Sequence, residues 1–350
     1  MKIRLVAVGV AAVVAGMCPN IAAAAVKTYN VGSEPGRMAR GADGALWFAK
    51  SGAVGRITMA GAVRSFALPS LRGASITDVL DLSVAPDGAV WAAEGQGAIA
   101  RVDASGRVAE FAPPTLGMPA GIVVGPDGMV WFSDVVLGRV TRFDAASSFF
   151  DTVLGSVTGA FQRVDPASPT GMVAASDGAV WILQLAPGRV GRMTPDGAVS
   201  YYWLPGGAAS QPTGIAVGGD GALWIAEAGT NRIARMALDG GVREFEIPSA
   251  GAEPRAIAAG PDGAMWFTEF GRDRLGRIDG TGAVTELQLP AGSQPYGIAG
   301  GSDGAIWATL WGKGGQVARV TTDTPAAATA ARRVARKRAA RKTAKARRRG

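Results

Sequence analysis

The amino-acid sequence predicts an all-β fold, a seven-bladed β-propeller of four-stranded antiparallel blades, and three observations carry that prediction. The motif Asp-Gly-x-x-Trp occurs seven times, at Asp43, Asp87, Asp127, Asp177, Asp220, Asp262 and Asp303, with Trp47, Trp91, Trp131, Trp181, Trp224, Trp266 and Trp307 four residues on. Successive motifs lie 44, 40, 50, 43, 42 and 41 residues apart, the length of one small sheet, and a fixed period of that size marks radially repeated architectures. Finally, a strand-like segment without a blade precedes the first motif, and a matching strand is missing after the last.

The elements of one unit read most plainly near the C-terminus. Pro254-Arg255-Ala256-Ile257-Ala258-Ala259 forms the first strand, and Asp262-Gly263 turns it into the second, Met265-Trp266-Phe267-Thr268-Glu269. Asp-Gly between two β-type runs is a strong hairpin signal, with positive φ expected at both central residues. The third strand, Arg274-Leu275-Gly276-Arg277-Ile278, ends at Gly280-Thr281-Gly282; the fourth runs to Pro290, which has no N–H for a ladder. The segment Lys27-Thr28-Tyr29-Asn30-Val31-Gly32 resembles a fourth strand, and nothing follows Gln316-Val317-Ala318-Arg319-Val320 to complete the seventh blade. Pairing residues 27–32 with 316–320 therefore closes the ring and removes an exposed edge. Large rings at a fixed repeat position belong between adjacent sheets, so the seven Trp are assigned to the core.

The two ends are different material from residues 26–324. Met1-Lys2-Ile3-Arg4, the apolar run from Leu5 to Met17 and the small residues of Ile21-Ala22-Ala23-Ala24-Ala25 read as a secretory signal peptide over residues 1–25. The apolar run is too short to span a bilayer, which needs about twenty residues. The single cysteine, Cys18, falls in this segment behind Met17 rather than the small residue a lipoprotein signal wants. The exported chain would thus hold no thiol, disulfide or cysteine-based metal site, which suits a periplasmic or extracellular location.

Residues 325–350 are an Ala/Lys/Arg-rich tail with eleven Lys and Arg between 332 and 349 and no acid. The formal net charge of +8 comes from this tail, because outside the two ends 23 of the 36 basic residues face all 28 acids, leaving the body near −5. Such a tail has no apolar face to fold around and reads as disordered. Clustered cations also bind nucleic acid or anionic envelope surfaces through counterion release, so a polyanion is the expected partner of the tail. The propeller itself is expected to be a monomer.

Chemistry in a propeller gathers where equivalent loops converge at the mouth of the central channel. The position three after each Trp holds Lys50, Glu94, Asp134, Gln184, Glu227, Glu269 and Leu310, and the position seven before each Asp-Gly holds Gly36, Leu80, Ala120, Thr170, Thr213, Arg255 and Tyr296. Large polar groups occur in the second set only at Arg255 and Tyr296, so the sector of blades 6 and 7 is where the symmetry breaks. An Arg255–Glu269 ion pair that simply neutralises the channel is the bland alternative.

The unit Pro-x-Gly-Ile-Ala…Gly-Pro-Asp-Gly-Ala-x-Trp-Phe-Thr-Glu…Arg-x-Gly-Arg-Ile, nearly whole from Pro254 to Ile278 and weaker from Pro212 to Arg235, resembles the virginiamycin B lyase (streptogramin lyase) family of seven-bladed propellers, and more distantly NHL-type propellers. The resemblance covers residues 26–322. It implies a magnesium-assisted C–O lyase that opens the ester of a cyclic depsipeptide by elimination. It also implies a His after the Pro of blade 6, a Glu-Pro-His sequence opening blade 7, and a Glu three after the blade 7 Trp. Here those positions are Arg255, Gln294-Pro295-Tyr296 and Leu310, and the chain has no His at all.

Two classes of function follow. In the first, the protein is an exported binding module whose mouth, around Arg255, Tyr296, Gln294, Glu269, Glu227 and Trp311, holds a small polar, glycan or peptide-like ligand. In the alternative, it is a divergent metal-assisted lyase in which Glu94, Asp134, Glu227 and Glu269 hold a divalent cation such as Mg2+, with Tyr296 and Glu269 as the catalytic candidates. Without His there is no serine-type triad or His-based zinc site, and neither a Walker loop nor a dinucleotide motif in a strand–helix context is present.

Overall fold

A computed structural model describes residues 25–69, 78–114, 117–154 and 171–321. The segment 1–24, Thr170 and the tail lie outside the described residues. Blade 1 consists of β2 (Met38–Arg40), β3 (Leu46–Lys50), β4 (Ala53–Ile57) and β5 (Val63–Ala67); blade 2 of β6 (Val79–Val84), β7 (Val90–Glu94), β8 (Ala98–Val102) and β9 (Val108–Phe111). Blade 3 holds β10 (Pro119–Val124), β11 (Val130–Asp134), β12 (Arg139–Asp144) and β13 (Phe149–Leu154), and blade 4 holds β14 (Met172–Ala174), β15 (Val180–Gln184), β16 (Arg189–Met193) and β17 (Val199–Trp203). Blade 5 runs through β18 (Pro212–Val217), β19 (Leu223–Glu227), β20 (Arg232–Met236) and β21 (Val242–Glu246); blade 6 through β22 (Pro254–Ala259), β23 (Met265–Glu269), β24 (Arg274–Ile278) and β25 (Val284–Gln288). Blade 7 combines β26 (Pro295–Gly300), β27 (Ile306–Leu310) and β28 (Gln316–Thr321) with β1 (Ala25–Asn30), in the order β1-β28-β27-β26.

The ring closure is therefore the one the orphan strand predicts, shifted by two residues at its start. Antiparallel pairs run from Ala25–Thr321 to Asn30–Gln316, and Tyr29 stacks on Trp307 with centroids 5.4 Å apart. Val31 and Gly32 leave the strand; the Val31 N–H donates to the Gly315 carbonyl at 2.8 Å, and its side chain is buried.

The Asp-Gly turns differ from the expectation in one respect. Only the glycine takes positive φ, as at Gly263 (+80°), while the aspartate does not. Gly260 and Ala264 close a three-residue loop in which Gly263 N–H also reaches the Gly260 carbonyl. This is a type I turn followed by a left-handed residue, so one glycine per hairpin suffices. It frees the aspartate side chain for another task. In blade 6, Asp262 Oδ1 accepts the Ala264 N–H and the Trp266 indole N–H (3.0 Å), and Oδ2 accepts Arg277 Nε at 2.7 Å. Arg277 sits opposite Trp266 in the β23–β24 ladder.

The same aspartate–arginine pairing recurs in every blade, at Arg56, Arg101, Arg142, Arg192, Arg235, Arg277 and Arg319. Against burial, which pushes the Asp262 carboxyl up, the Arg277 and Trp266 hydrogen bonds hold it below its ordinary range. The motif is thus a structural latch: in blades 3 to 7 the arginine-paired aspartate also accepts the indole N–H, and the ring is at most 4% exposed in any blade.

The Trp residues lie in the core as expected, and each of the seven seams between neighbouring blades has its own apolar cluster. Hydroxyls stitch some seams near the channel. Thr268 Oγ1 accepts the Ala256 N–H (3.0 Å) and donates to the Tyr296 carbonyl of blade 7, and Thr309 accepts the Gly297 N–H and donates to the Gly36 carbonyl of blade 1 at 2.8 Å.

The first strands line the channel. Arg37 crosses it from blade 1 and donates to the Thr213 carbonyl in blade 5. Nearby, burial pushes the Asp81 carboxyl up to about 6, with the Arg37 charge and the Ile122 N–H opposing the shift.

Candidate functional site

The two rings of positions separate in the structure. Glu94, Asp134, Glu227 and Glu269 end the second strands of their blades and are buried, each in its own seam. Asp134 Oδ1 accepts the N–H groups of Met118, Val136 and Leu137 and faces Arg139 at 3.8 Å. Glu227 accepts the Thr230 hydroxyl at 2.6 Å; burial pushes its carboxyl up to about 7, with Glu244 adding to the shift and Thr230 and Arg232 opposing it. Burial, with Glu110 beside it, pushes Glu94 up to about 8.

Glu269 shows the environment most clearly. It alternates with Thr268 along β23, so it turns toward blade 5, on the face shared by Phe267 and Glu286. Burial, then repulsion from Glu286, push its carboxyl up to about 8, against the nearby Arg274. Among the described residues neither oxygen of Glu269 has a hydrogen-bond partner. The Arg255–Glu269 ion pair expected as the bland alternative is not formed: Arg255 pairs with Glu253 at 3.4 Å, and Arg274 pairs with Glu286 at 2.9 Å.

The second ring does assemble a surface. Tyr296, Trp311 and Phe270 form a three-ring cluster, with centroids 5.5 Å (Tyr296–Trp311), 5.7 Å (Phe270–Trp311) and 6.3 Å (Phe270–Tyr296) apart. The Arg255 guanidinium lies 5.2 Å from the Phe270 centroid on the blade 6 side. On the other side, Tyr296 and Trp311 wall a cavity of about 310 Å³ that extends over blades 1 and 2, with Glu34, Lys50, Asp78 and Leu80 among its lining.

Local backbone geometry explains why the cluster forms here. Phe270 and Trp311 each open a short 3-10 turn (Phe270–Arg272 and Trp311–Lys313) that follows the second strand. The first of these turns ends at Asp273 in the left-handed region (φ +52°), whose carboxylate accepts the Gly292 and Gln294 N–H groups, both at 2.7 Å. Asn231 makes the corresponding clamp one blade earlier, accepting the Ala252 N–H at 2.8 Å. Gln294 itself is held at φ +45° immediately before Pro295, as are Gln211 and Glu253 before their prolines. Such pre-proline residues are conformationally costly, and the clamps hold the loop that presents Tyr296.

Phe270, Glu34 and Asp78 were not singled out by the sequence reasoning. A signal for the first exists: the fourth residue after the blade Trp is aromatic only at Phe270 and Trp311, whereas Ser51, Gly95, Val135, Leu185 and Ala228 hold that place elsewhere.

Magnesium, which the resemblance implies, does not fit these residues. Leu310 is fully buried and has no donor, Gln294 offers one neutral oxygen, and the Arg255 charge would repel a cation. Among the described residues no group of three or more His, Cys, Asp or Glu gathers as a metal site.

These features define a seven-bladed propeller with an asymmetric aromatic mouth on its last two blades. The virginiamycin B lyase family model matches residues 17–158 and 153–342, and the chain belongs to that family. Among solved structures it is similar to a streptogramin B lyase (28% identity over 86% of this chain and 98% of that one, TM-score 0.77). It is also similar to a catalytically inactive virginiamycin B lyase from Staphylococcus aureus with quinupristin (27% identity, 85% and 99%, TM-score 0.74). The extracellular domain of a one-component system from B. thetaiotaomicron shares the fold (14% identity, 83% of this chain and 41% of that one, TM-score 0.61). No curated protein matches the chain. Among the described residues no helix is long and apolar enough to cross a membrane.

Proposed function

We propose that this family member is an exported binding module which holds a small polar, glycan-like or peptide-like ligand against the mouth of blades 6 and 7, and which does not run the ester-opening elimination. One observation carries the reading: the positions where the family resemblance implies a base and metal ligands are occupied by Arg255, Tyr296 and Leu310, and two of these belong instead to a packed aromatic shelf beside a cavity. Elimination needs a base with an accessible lone pair near its working pH. The Arg255 guanidinium carries donors only, Leu310 has no titratable group, and Glu269 is a buried carboxyl that holds its proton at neutral pH. Concave, mainly apolar surfaces with a few polar groups are the usual form of small-ligand sites.

Export is supported by the leader-like N-terminus and by the extracellular domain among the structural neighbours. The basic tail then serves as an anchor to an anionic surface, raising the effective concentration of the mouth there.

The test is direct. Incubated with a streptogramin B depsipeptide and magnesium, the purified protein should produce linear product no faster than the uncatalysed control, while a bound ligand should change the Trp311 fluorescence. Turnover that disappears in Tyr296→Phe or Glu269→Gln would overturn the reading in favour of a divergent lyase.

A further inference from the structure

The cavity beside the shelf has a charge pattern that selects among ligands. Its lining joins the aromatic Tyr296 and Trp311, the apolar Val79 and Leu80, and the acidic Glu34 and Asp78. Both carboxylates are exposed, and among the described residues neither forms a hydrogen bond or an ion pair. The third charged residue of the lining, Lys50, has its ammonium engaged: Nζ donates to the Val31 carbonyl at 2.6 Å and to the Ser65 hydroxyl at 3.1 Å, and burial lowers its pKa. Arg255 lies beyond Phe270 and is paired with Glu253. Arg37 points into the channel toward Thr213 and Asp81.

Aromatic rings that share a cavity with two carboxylates unpaired among the described residues attract a positive charge twice over. The ring faces carry negative electrostatic potential that attracts a cation, more strongly as it is desolvated. The carboxylates add a field that the body charge near −5 reinforces rather than opposes. An anionic ligand would meet the same groups as repulsion.

The geometry points to this cavity as the binding site for the organic cation of a small ligand, a substituted ammonium or guanidinium carried on an apolar body, seated on Trp311 and Tyr296 and neutralised by Glu34 and Asp78. This assignment rests on the mouth being a ligand site and adds the chemical class of the ligand.

Choline and its uncharged isostere 3,3-dimethylbutan-1-ol test it, titrated into the full-length protein by calorimetry and Trp fluorescence at low salt. Choline should bind at least tenfold tighter than the alcohol. The surface substitutions Glu34→Gln with Asp78→Asn should erase that preference, and Trp311→Leu should weaken choline while circular dichroism shows an intact fold. Equal affinity for the two probes, or a preference that survives loss of both carboxylates, overturns the cation assignment but leaves the mouth as a ligand site. Absence of binding by either probe overturns the cation assignment, and binding of neutral glycans or peptides in the same assay would then decide the broader reading separately.

Discussion

Glu269 offers a sharp test of how this propeller handles the acid that sequence reasoning places among its catalytic candidates. Its carboxyl, with an ordinary value of 4.5, is pushed up to about 8 by burial and by Glu286, so the folded chain keeps a proton that the unfolded chain has already released between those pH values. Stability must then fall as pH rises across that window: no cost below pH 4.5, the whole cost above about 8. The span of about 3.5 units corresponds to about 5 kcal/mol, at 1.36 kcal/mol per unit. Glu269→Gln keeps the shape and removes the titration. The variant and the parent should melt alike near pH 4.5, and the variant should melt higher by roughly 10 °C at pH 9, given about 2 °C per kcal/mol for a domain of this size. Glu94 and Glu227 titrate in the same range in both proteins, so they cancel in the difference. Thermal melts from pH 4.5 to 9, followed by circular dichroism, read it out. A difference that does not change with pH, or a variant less stable at pH 9, would refute a protonated Glu269 and restore it as a charged group available for chemistry.

Two further outcomes follow from the ends of the chain. Deleting residues 26–33 removes most of β1, the Tyr29–Trp307 stack and the buried Val31, so a cooperative melt should broaden and drop by roughly 10 °C or more; an unchanged melt would mean that the ring does not depend on this closure. Truncation after Thr324 should abolish retention on heparin, since eleven cations are lost and the remaining body is near −5; equal retention of the truncated protein at low salt would move the polyanion surface onto the blades, where Arg139, Arg189 and Arg272 are the next to test.

Much of this molecule was legible from spacing alone. A Trp every forty-odd residues with Asp-Gly before it can be satisfied only by repeating one hairpin-built sheet, and an orphan strand at one end with a vacancy at the other has one economical solution, the β1–β28 pair. These are local, periodic constraints, and the chain states them repeatedly. The break of symmetry at Arg255 and Tyr296 was legible for the same reason, as departures from a repeat.

What spacing could not convey is direction. Because strand side chains alternate between faces, a residue three after the Trp is as near the mouth in sequence as its neighbour, yet Glu94, Asp134, Glu227 and Glu269 turn into four separate seams while Phe270 and Trp311, one position later, turn into the aromatic shelf. The partner of each motif aspartate, an arginine two strands on in the hairpin, became visible only when the β23–β24 type of register placed it beside the indole. The cavity between Trp311, Glu34 and Asp78 joins residues from opposite ends of the chain. Only closing the ring sets blade 7 against blades 1 and 2, so the site's charge and shape were decided by tertiary structure.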